Sequence, residues 1–259
     1  MKKFQWPLRA FLFVGVMQLL SCTKTVDTVT NDSLTLETSS DATVDLSKCK
    51  IRRLYQKYPG SPGPATLDAV FSYNSAGNPY SVLYQPGTIP DAHYFKYDAN
   101  KRLTEYIQFY GSWEYNHHYY TYNGNSQIIK DSLILFDEGR PFYTDVATIE
   151  YDSQGRVIKE TIVNTRNDFG TLSPVRRPTY TYDSRGNLAT KYSKSSSYDY
   201  KINPLRQSPV FQFIHRNYSM NNASVQAKYN SIGLPLSIER SNDEFFNYFG
   251  YTRVEYDCP

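Results

Sequence analysis

One short motif recurs along most of this chain, and its recurrence limits what the chain can fold into. A tyrosine followed by Asp or Asn occurs in six full copies and one truncated copy; the best-preserved pair reads YDSQGRVIKE and YDSRGNLATK. The copies begin at Tyr73, Tyr97, Tyr122, Tyr151, Tyr182, Tyr229 and Tyr256, with spacings of 24, 25, 29, 31, 47 and 27 residues. Self-similarity at this period is typical of a repeat architecture with one supersecondary unit per copy.

The residues before each motif tyrosine alternate in polarity. A mostly apolar residue stands two positions earlier with a polar residue between them, as in Phe71-Ser72-Tyr73 and Ile149-Glu150-Tyr151. Alternation with period two predicts strands with one buried and one wet face.

The residues after each motif tyrosine predict a turn. The side chain of Asp or Asn can accept a hydrogen bond from the backbone two residues on, and a glycine follows three residues later in four copies. Glycine suits a turn position with positive φ. Lys101 and Ser126 replace it in the other two full copies, where we expect the preceding Asn100 and Asn125 to preserve the turn with shifted geometry.

Each copy is therefore predicted to be the tip of a β-hairpin. Hairpins joined in sequence predict an all-β fold, an antiparallel meander that must curl to cover its tyrosine-rich face. The 47-residue interval between Tyr182 and Tyr229 interrupts the period. Its Phe211 and Phe213 alternate, so we expect an irregular excursion with one strand there.

The N-terminus predicts export. Three basic residues accompany an apolar run of eleven residues, Ala10 to Leu20, which is too short to span a bilayer and typical of a signal peptide. The following Leu19-Leu20-Ser21-Cys22 resembles the lipobox of bacterial lipoproteins, in which the cysteine receives the lipid; the alternative is an ordinary signal with a chance cysteine. Residues 23–47 are almost half Ser and Thr and contain no aromatic residue. We expect residues 1–21 to be a signal peptide, 22–47 a lipidated flexible tether and 48–259 one β-repeat domain.

The pattern Tyr-Asp-x-x-Gly-Arg/Asn-apolar resembles the YD repeat of RHS-type proteins. Together with the lipobox at Cys22, it makes the chain similar to the YD-repeat lipoproteins of Bacteroidota over about residues 65 to 257. The stretch YDYKINP, from Tyr198 to Pro204, also resembles a signature of those lipoproteins. The resemblance implies a curled or solenoid-like sheet of hairpins, and it implies no catalytic residues.

Charge and cysteines narrow the function further. The net charge is +3, and removal of the signal peptide leaves 25 basic and 25 acidic residues, which offers no electrostatic footprint for nucleic acid. With Cys22 assigned to lipid, Cys49 and Cys258 remain, one near each end of the domain. In an oxidising compartment we expect them to form a disulfide; the alternative is two free thiols.

Motifs for catalysis or cofactor binding are absent from the sequence. It contains no Gly-x-Ser-x-Gly, no His-Glu-x-x-His and no Gly-rich phosphate loop. Asp91 and His93 are spaced to share a metal, yet one such pair is a chance-level signal, and His117 and His118 should point to opposite faces of a strand. Glu105, Glu114, Asp137 and Glu138 offer carboxylates that the sequence cannot pair. We therefore predict a protein that is not an enzyme and has no metal or cofactor.

The stretch WEYNHHYYTY, from Trp113 to Tyr122, contains the candidate binding residues. If Tyr120 and Tyr122 face the core, strict alternation places Glu114, Asn116 and His118 with them and sends Trp113, Tyr115, His117 and Tyr119 to the wet face. A row of exposed rings suits stacking against sugar rings. The alternatives are that both sheet faces are covered, or that a bulge near Gly111 resets the alternation.

These observations predict a cell-envelope lipoprotein held to the outer membrane by its lipid. Its expected function is non-enzymatic binding of a glycan or an envelope protein. The alternative is a structural scaffold for envelope assembly that presents rigid hairpins or edge strands to another protein.

Overall fold

The computed structural model describes residues 35–36, 44–45, 48–57, 64, 66–85, 92–189, 198–222, 228–238 and 251–258. The predicted signal peptide, Cys22 and most of the predicted tether lie outside the described residues. The chain divides into two units, Met1–Ser33 and Leu34–Pro259, and every described residue belongs to the second unit.

The regular secondary structure of the described residues is almost entirely β-strand. The strands are β1 (Thr35–Leu36), β2 (Val44–Asp45), β3 (Lys50–Lys57), β4 (Thr66–Tyr73), β5 (Pro79–Tyr84), β6 (Ala92–Tyr97), β7 (Leu103–Tyr110), β8 (Trp113–Tyr122), β9 (Ile128–Asp137), β10 (Arg140–Tyr151), β11 (Val157–Asn167), β12 (Ser237–Ile238) and β13 (Tyr251–Asp257). A 3₁₀ helix at Pro204–Gln207 and one short helix, α1 (Pro209–Ile214), complete the elements.

Eleven strands form one antiparallel sheet in the order β11-β10-β9-β8-β7-β6-β5-β4-β3-β13-β12. From β4 to β11 each strand pairs with the next along the chain, so the predicted all-β antiparallel meander is confirmed. The short β1 and β2 pair with each other inside the segment predicted to be a tether.

All six full motif copies form the turns that the sequence predicts. In the copy at Tyr151, the Asp152 carboxylate accepts hydrogen bonds from the backbone N–H groups of Gln154 and Arg156, both at 2.9 Å. The glycines take positive φ, for example 75° at Gly155. The expectation for the other two copies is wrong in detail, because Lys101 (φ 63°) and Ser126 (φ 59°) adopt the left-handed conformation themselves and the asparagines before them do not.

The motif tyrosines join each copy to the previous one. In five copies the tyrosine hydroxyl donates to the backbone carbonyl that lies six residues after the tyrosine of the preceding copy, and Tyr73, in the first copy, donates to the Ile51 carbonyl. These bonds join Tyr73 to Ile51 (2.8 Å), Tyr97 to Pro79 (2.7 Å), Tyr122 to Leu103 (2.8 Å), Tyr151 to Ile128 (2.7 Å), Tyr182 to Val157 (3.1 Å) and Tyr256 to Pro235 (2.8 Å). We call this set the tyrosine ladder. Tyr198, in the interval that interrupts the period, adds a bond of the same kind to Leu188 at 2.7 Å.

The first ladder bond shows that the two ends of the domain together complete the truncated seventh copy. In a full copy the tyrosine pairs with the residue six positions later, as Tyr151 pairs with Val157; Tyr256 pairs with Ile51 in the same way. The disulfide between Cys49 and Cys258 stands where the turn would be, which confirms the predicted bridge. Backbone pairing between β13 and β3 continues the sheet across this junction, and the disulfide joins the two strands covalently.

The interval before Tyr229 is where the sequence prediction fails. The residues Phe211 and Phe213, expected in a strand, lie in a helix, α1. This helix begins at Pro209, and Ser208 caps it, because its side chain accepts a hydrogen bond from Val210 N–H. Both phenylalanine rings pack against the sheet, where Phe211 contacts Phe71 and Phe95, and Phe213 contacts Tyr120. We call the side of the sheet that bears these rings the core face and its opposite side the outer face.

Candidate ligand-binding surface

Three of the four aromatic-row residues predicted from sequence are exposed on β8. The exposed fractions are 54% for Trp113, 47% for Tyr115 and 41% for Tyr119, whereas His117 is only 5% exposed. Large rings left this open within one strand are a usual sign of a binding surface. His117 is covered by its neighbours and therefore supports this surface from below.

A bulge at Tyr115 changes which residues share a face. Asn116 faces Gln108 on β7, but Glu114 faces the next residue, Phe109, so Tyr115 is the extra residue. The alternation that holds from Tyr122 to Asn116 ends there. Glu114, expected on the core face, consequently lies on the outer face beside His117. The parity prediction is wrong at this residue because one inserted residue reverses every position beyond it.

The outer face carries a cluster of ionisable groups around His117. The Nε2 atom of His117 lies 2.7 Å from a Glu105 carboxylate oxygen, and its Nδ1 atom lies 2.7 Å from a carboxylate oxygen of Glu114. The Tyr119 ring stacks on the imidazole with 3.9 Å between ring centroids. Lys96 donates to Glu105 at 2.9 Å. We call these five residues the outer cluster.

Two groups of the outer cluster, Glu105 and Tyr119, have pKa values shifted by their surroundings. Burial opposes ionisation of Glu105, but hydrogen bonds from Lys96 and His117 outweigh it and hold the pKa of this carboxyl below its ordinary value. Burial, together with the charges of Glu105 and Glu114, raises the pKa of the Tyr119 hydroxyl. At neutral pH Glu105 is therefore an ionised hydrogen-bond acceptor, and the exposed Tyr119 ring keeps its hydroxyl proton.

Trp113 lies at the end of the β7–β8 hairpin, beyond the bulge, so the reversal that moves Glu114 to the outer face places Trp113 on the core-face side, and the alternation expected from sequence does not hold for it. It pairs with Tyr110 across the turn at Gly111 and Ser112, and Tyr110 is 48% exposed. The rings of Trp113, Tyr110 and Tyr115 thus mark the tip of this hairpin, at the end of the sheet opposite the motif turns. The outer cluster lies next to them along the strands.

The other histidines and acids considered from sequence fall elsewhere. His93, His118 and His215 line a cavity on the core face. Asp137 ends β9, and Glu138 follows it in the turn with φ 46°. Asp91 lies outside the described residues, so its predicted spacing with His93 is not tested. Among the described residues, no three His, Cys, Asp or Glu side chains are grouped to hold a metal ion.

Sequence reasoning missed the link between Glu105 and Glu114. They are nine residues apart on different strands, and their connection through His117 depends on the β7–β8 register together with the bulge. An i, i+3 spacing of Glu114 and His117 is unremarkable for a regular strand, where those positions face opposite ways. Within the part of the chain that the structure describes, no helix has both the length and the apolar character needed to cross a membrane.

No protein-family model and no curated protein matches the chain. Among solved structures, the chain is similar to a porin-like protein from Bacteroides vulgatus. The identity is 13%, the similarity covers 80% of this chain and 98% of that protein, and the TM-score is 0.41. A score at this level supports no argument about function. The resemblance to YD-repeat lipoproteins stays a prediction from sequence.

Proposed function

We propose that this protein is a non-enzymatic cell-envelope lipoprotein that binds a glycan on the outer face of the β7–β8 hairpin. The observation that carries the proposal is the position of the half-exposed Tyr119 ring beside the ionised Glu105 carboxylate of the outer cluster. Sugar rings have apolar C–H faces that stack on aromatic rings and hydroxyl groups that donate to carboxylates. Such a pairing of apolar contact and fixed polar groups is typical of ligand recognition.

The geometry of the outer cluster holds the Tyr119 ring ready for a ligand. His117 is held between two carboxylates, and Tyr119 rests on the imidazole, so the exposed ring is fixed in orientation before any ligand arrives. A fixed ring loses little conformational entropy on binding. Ionised Glu105 adds a hydrogen-bond acceptor within the same small area.

The test is retention of the purified protein in affinity gels that contain soluble polysaccharides, supported by a glycan array. Tyr119→Ala and Tyr115→Ala remove two exposed rings of β8 next to Glu105, His117 and Glu114, and we expect at least about 30-fold weaker retention if either ring is a binding hot spot. Phe169→Ala is the matched control, because Phe169 is 76% exposed but belongs to another turn.

Equal retention of the control and the two ring variants would remove the glycan assignment from this hairpin. If no polysaccharide retards the protein at all, the scaffold alternative is favoured, and a crosslinked protein partner from the envelope becomes the expected finding. Thermal unfolding of each variant shows whether lost retention reflects a lost fold.

Membrane attachment through lipid on Cys22 is a separate part of the proposal. Cys22→Ser should move the protein from the membrane fraction to the soluble fraction and abolish incorporation of labelled fatty acid. Unchanged fractionation and labelling would place any attachment elsewhere in the chain.

A further inference from the structure

The core face holds a cavity that the proposed function does not use. Its volume is about 370 Å³, at the small end of the range of sites that hold small molecules. Side chains of β5 to β11 line it, and so do residues 214–216 at the end of α1. Arg176 also lines it, and its side chain is 55% exposed, so the cavity opens to solvent on that side.

The charged side chains that line the cavity contain one more carboxylate than guanidinium groups. The Arg216 guanidinium lies 3.0 Å from an Asp131 oxygen and 2.9 Å from a Glu160 oxygen, and Arg176 forms an ion pair with Asp145. Burial opposes the charge of Arg216, but Glu160 and Asp131 outweigh it and raise the pKa of this guanidinium above its ordinary value. The potential in this part of the cavity is therefore negative. A monocation would balance the extra carboxylate, whereas an anion would be repelled by it.

Two polar atoms of the cavity lining have no hydrogen-bond partner among the described residues and are still accessible. They are the hydroxyl of Tyr120, a residue only 9% exposed, and the Nε2 atom of His118. Both retain solvent access, unlike the sealed Nε2 atom of His93. Burial raises the pKa of the Tyr120 hydroxyl well above its ordinary value, and the charges of Asp131 and Arg216 also act on it, so this hydroxyl lies on the cavity side. Buried polar groups are nearly always satisfied, so these two atoms indicate a ligand.

The partner of His118 determines what its free nitrogen offers. The Nδ1 atom lies 2.8 Å from an Asp131 oxygen. Burial opposes ionisation of Asp131, but His118 and Arg216 outweigh it and hold the pKa of this carboxyl below its ordinary value. Because an ionised carboxylate only accepts, Nδ1 carries the proton, and Nε2 of the neutral ring is an acceptor. The Tyr120 ring is stacked beside the imidazole with 6.1 Å between centroids, and its oxygen has lone pairs that also accept.

We propose that this cavity binds the primary ammonium group of a small organic amine, which donates hydrogen bonds to His118 Nε2 and to the Tyr120 hydroxyl oxygen. An ammonium group has three donors and no acceptor, so it matches both free atoms and balances the extra carboxylate. The aromatic rings of Tyr84 and Tyr106, which also line the cavity, suit a cation. The cavity lies on the opposite side of the sheet from the outer cluster, so it is a second site and does not depend on the proposed function.

Calorimetric titration of the purified protein tests the ligand class. It is done at about pH 8, where an imidazole is ordinarily neutral and an aliphatic amine ordinarily charged. Ethanolamine and butylamine, each up to about 10 mM, should bind. N-acetylethanolamine, which has no charge, and choline, which has no N–H on its cation, should bind at least about tenfold more weakly. Phosphoethanolamine separates a lipid headgroup from a free amine, and it should also bind more weakly because its phosphate meets the negative potential.

Three variants test the site within the protein. Tyr120→Phe removes only a hydroxyl that has no partner among the described residues, so it should weaken ethanolamine binding about tenfold and leave the urea midpoint unchanged. Arg176→Gln makes the cavity more negative and should strengthen that binding about threefold to tenfold. Arg166→Gln is its matched control, because Arg166 forms an exposed ion pair with Asp168 and does not line the cavity. Ala147→Leu fills space in the lining without changing any charge and should abolish binding.

The assignment would be overturned if neither amine binds, if N-acetylethanolamine, choline or phosphoethanolamine binds as tightly as ethanolamine, or if binding survives Ala147→Leu. It would also be overturned if Tyr120→Phe leaves ethanolamine binding unchanged, or if Arg176→Gln affects it no more than the Arg166→Gln control. Tyr119→Ala, on the outer face, should leave amine binding unchanged, and Tyr120→Phe should leave polysaccharide retention unchanged. Failure of this site is therefore distinguishable from failure of the proposed function.

Discussion

The tyrosine ladder predicts that a motif hydroxyl contributes to stability separately from its ring. Tyr151→Phe removes the hydroxyl that donates to the Ile128 carbonyl at 2.7 Å and keeps the ring, so no cavity forms. Burial raises the pKa of Tyr151 to about 12, so the hydroxyl remains a donor at neutral pH. Loss of one such hydrogen bond lowers the free energy of unfolding by about 1 kcal/mol.

The assay is urea unfolding followed by tyrosine or tryptophan fluorescence and by circular dichroism. With a slope of about 1–3 kcal/mol per molar urea, a loss of about 1 kcal/mol lowers the midpoint by about 0.3–1 M. Tyr80→Phe is the matched control, because Tyr80 is 55% exposed and is not a ladder residue. We expect its effect to stay within about 0.5 kcal/mol.

A double variant shows whether the bonds act one by one. Tyr122→Phe removes the neighbouring ladder bond to Leu103, at 2.8 Å, and the two changes together should lower stability by about 2 kcal/mol if the bonds are independent. If Tyr151→Phe has no larger effect than the Tyr80→Phe control, the hydroxyl is irrelevant to stability. The motif tyrosine would then serve only as a buried ring.

Three further predictions concern the seventh copy, the turns and one buried carboxyl. Replacing both Cys49 and Cys258 with Ser should lower stability by about 5 kcal/mol in the chain-entropy model, since the bridge closes a separation of 209 residues; an unchanged thermal midpoint would contradict this. Lys101→Gly should raise stability by up to about 1 kcal/mol and Gly155→Ala should lower it by about 1–2 kcal/mol, because both positions have positive φ; urea midpoints that shift in the same direction would refute the argument. Burial raises the pKa of Asp68 to about 6, so the folded state keeps a proton that the unfolded chain releases near pH 4. The cost of burying this carboxylate is absent below about pH 4 and complete above about pH 6. Asp68→Asn should therefore raise the free energy of unfolding by about 1–2 kcal/mol at pH 7, after allowance for solvent screening. If the stability difference between Asp68→Asn and the original protein is the same at pH 4 and pH 7, Asp68 does not have this role.

The motif copies show which structural features local sequence can predict. An Asp or Asn that binds backbone N–H groups two and four residues on needs no distant partner, so the turns at Asn74, Asp98 and Asp152 follow from the sequence. Alternation before each tyrosine gives strands, and consecutive hairpins give a meander, for the same local reason. The pairing of Cys49 with Cys258 also followed, because one pair remained once Cys22 was assigned to lipid.

Lys101 and α1 show where local reasoning ends. Lys101 takes a left-handed conformation because the surrounding turn, closed by Asp98 and its backbone bonds, fixes the position whatever residue occupies it. Phe211 and Phe213 satisfy a strand pattern as well as a short helix, and Ser208 with Pro209 at the start, together with the rings of the core face, favours the helix. In both cases the surrounding turn or packing against residues distant in sequence determines the conformation, and the local pattern alone does not.

The sequence alone determined the repeated unit, its turns and the candidate aromatic residues, because each depends on contacts within a few residues. The tertiary structure decided how the copies bond to one another, that the two chain ends complete one copy, and which ionisable groups meet. A bulge at Tyr115 placed Glu114 beside His117, and the β7–β8 register placed Glu105 on the other side of the same imidazole. These placements depend on strand register, in which a shift of one residue exchanges the two faces of the sheet.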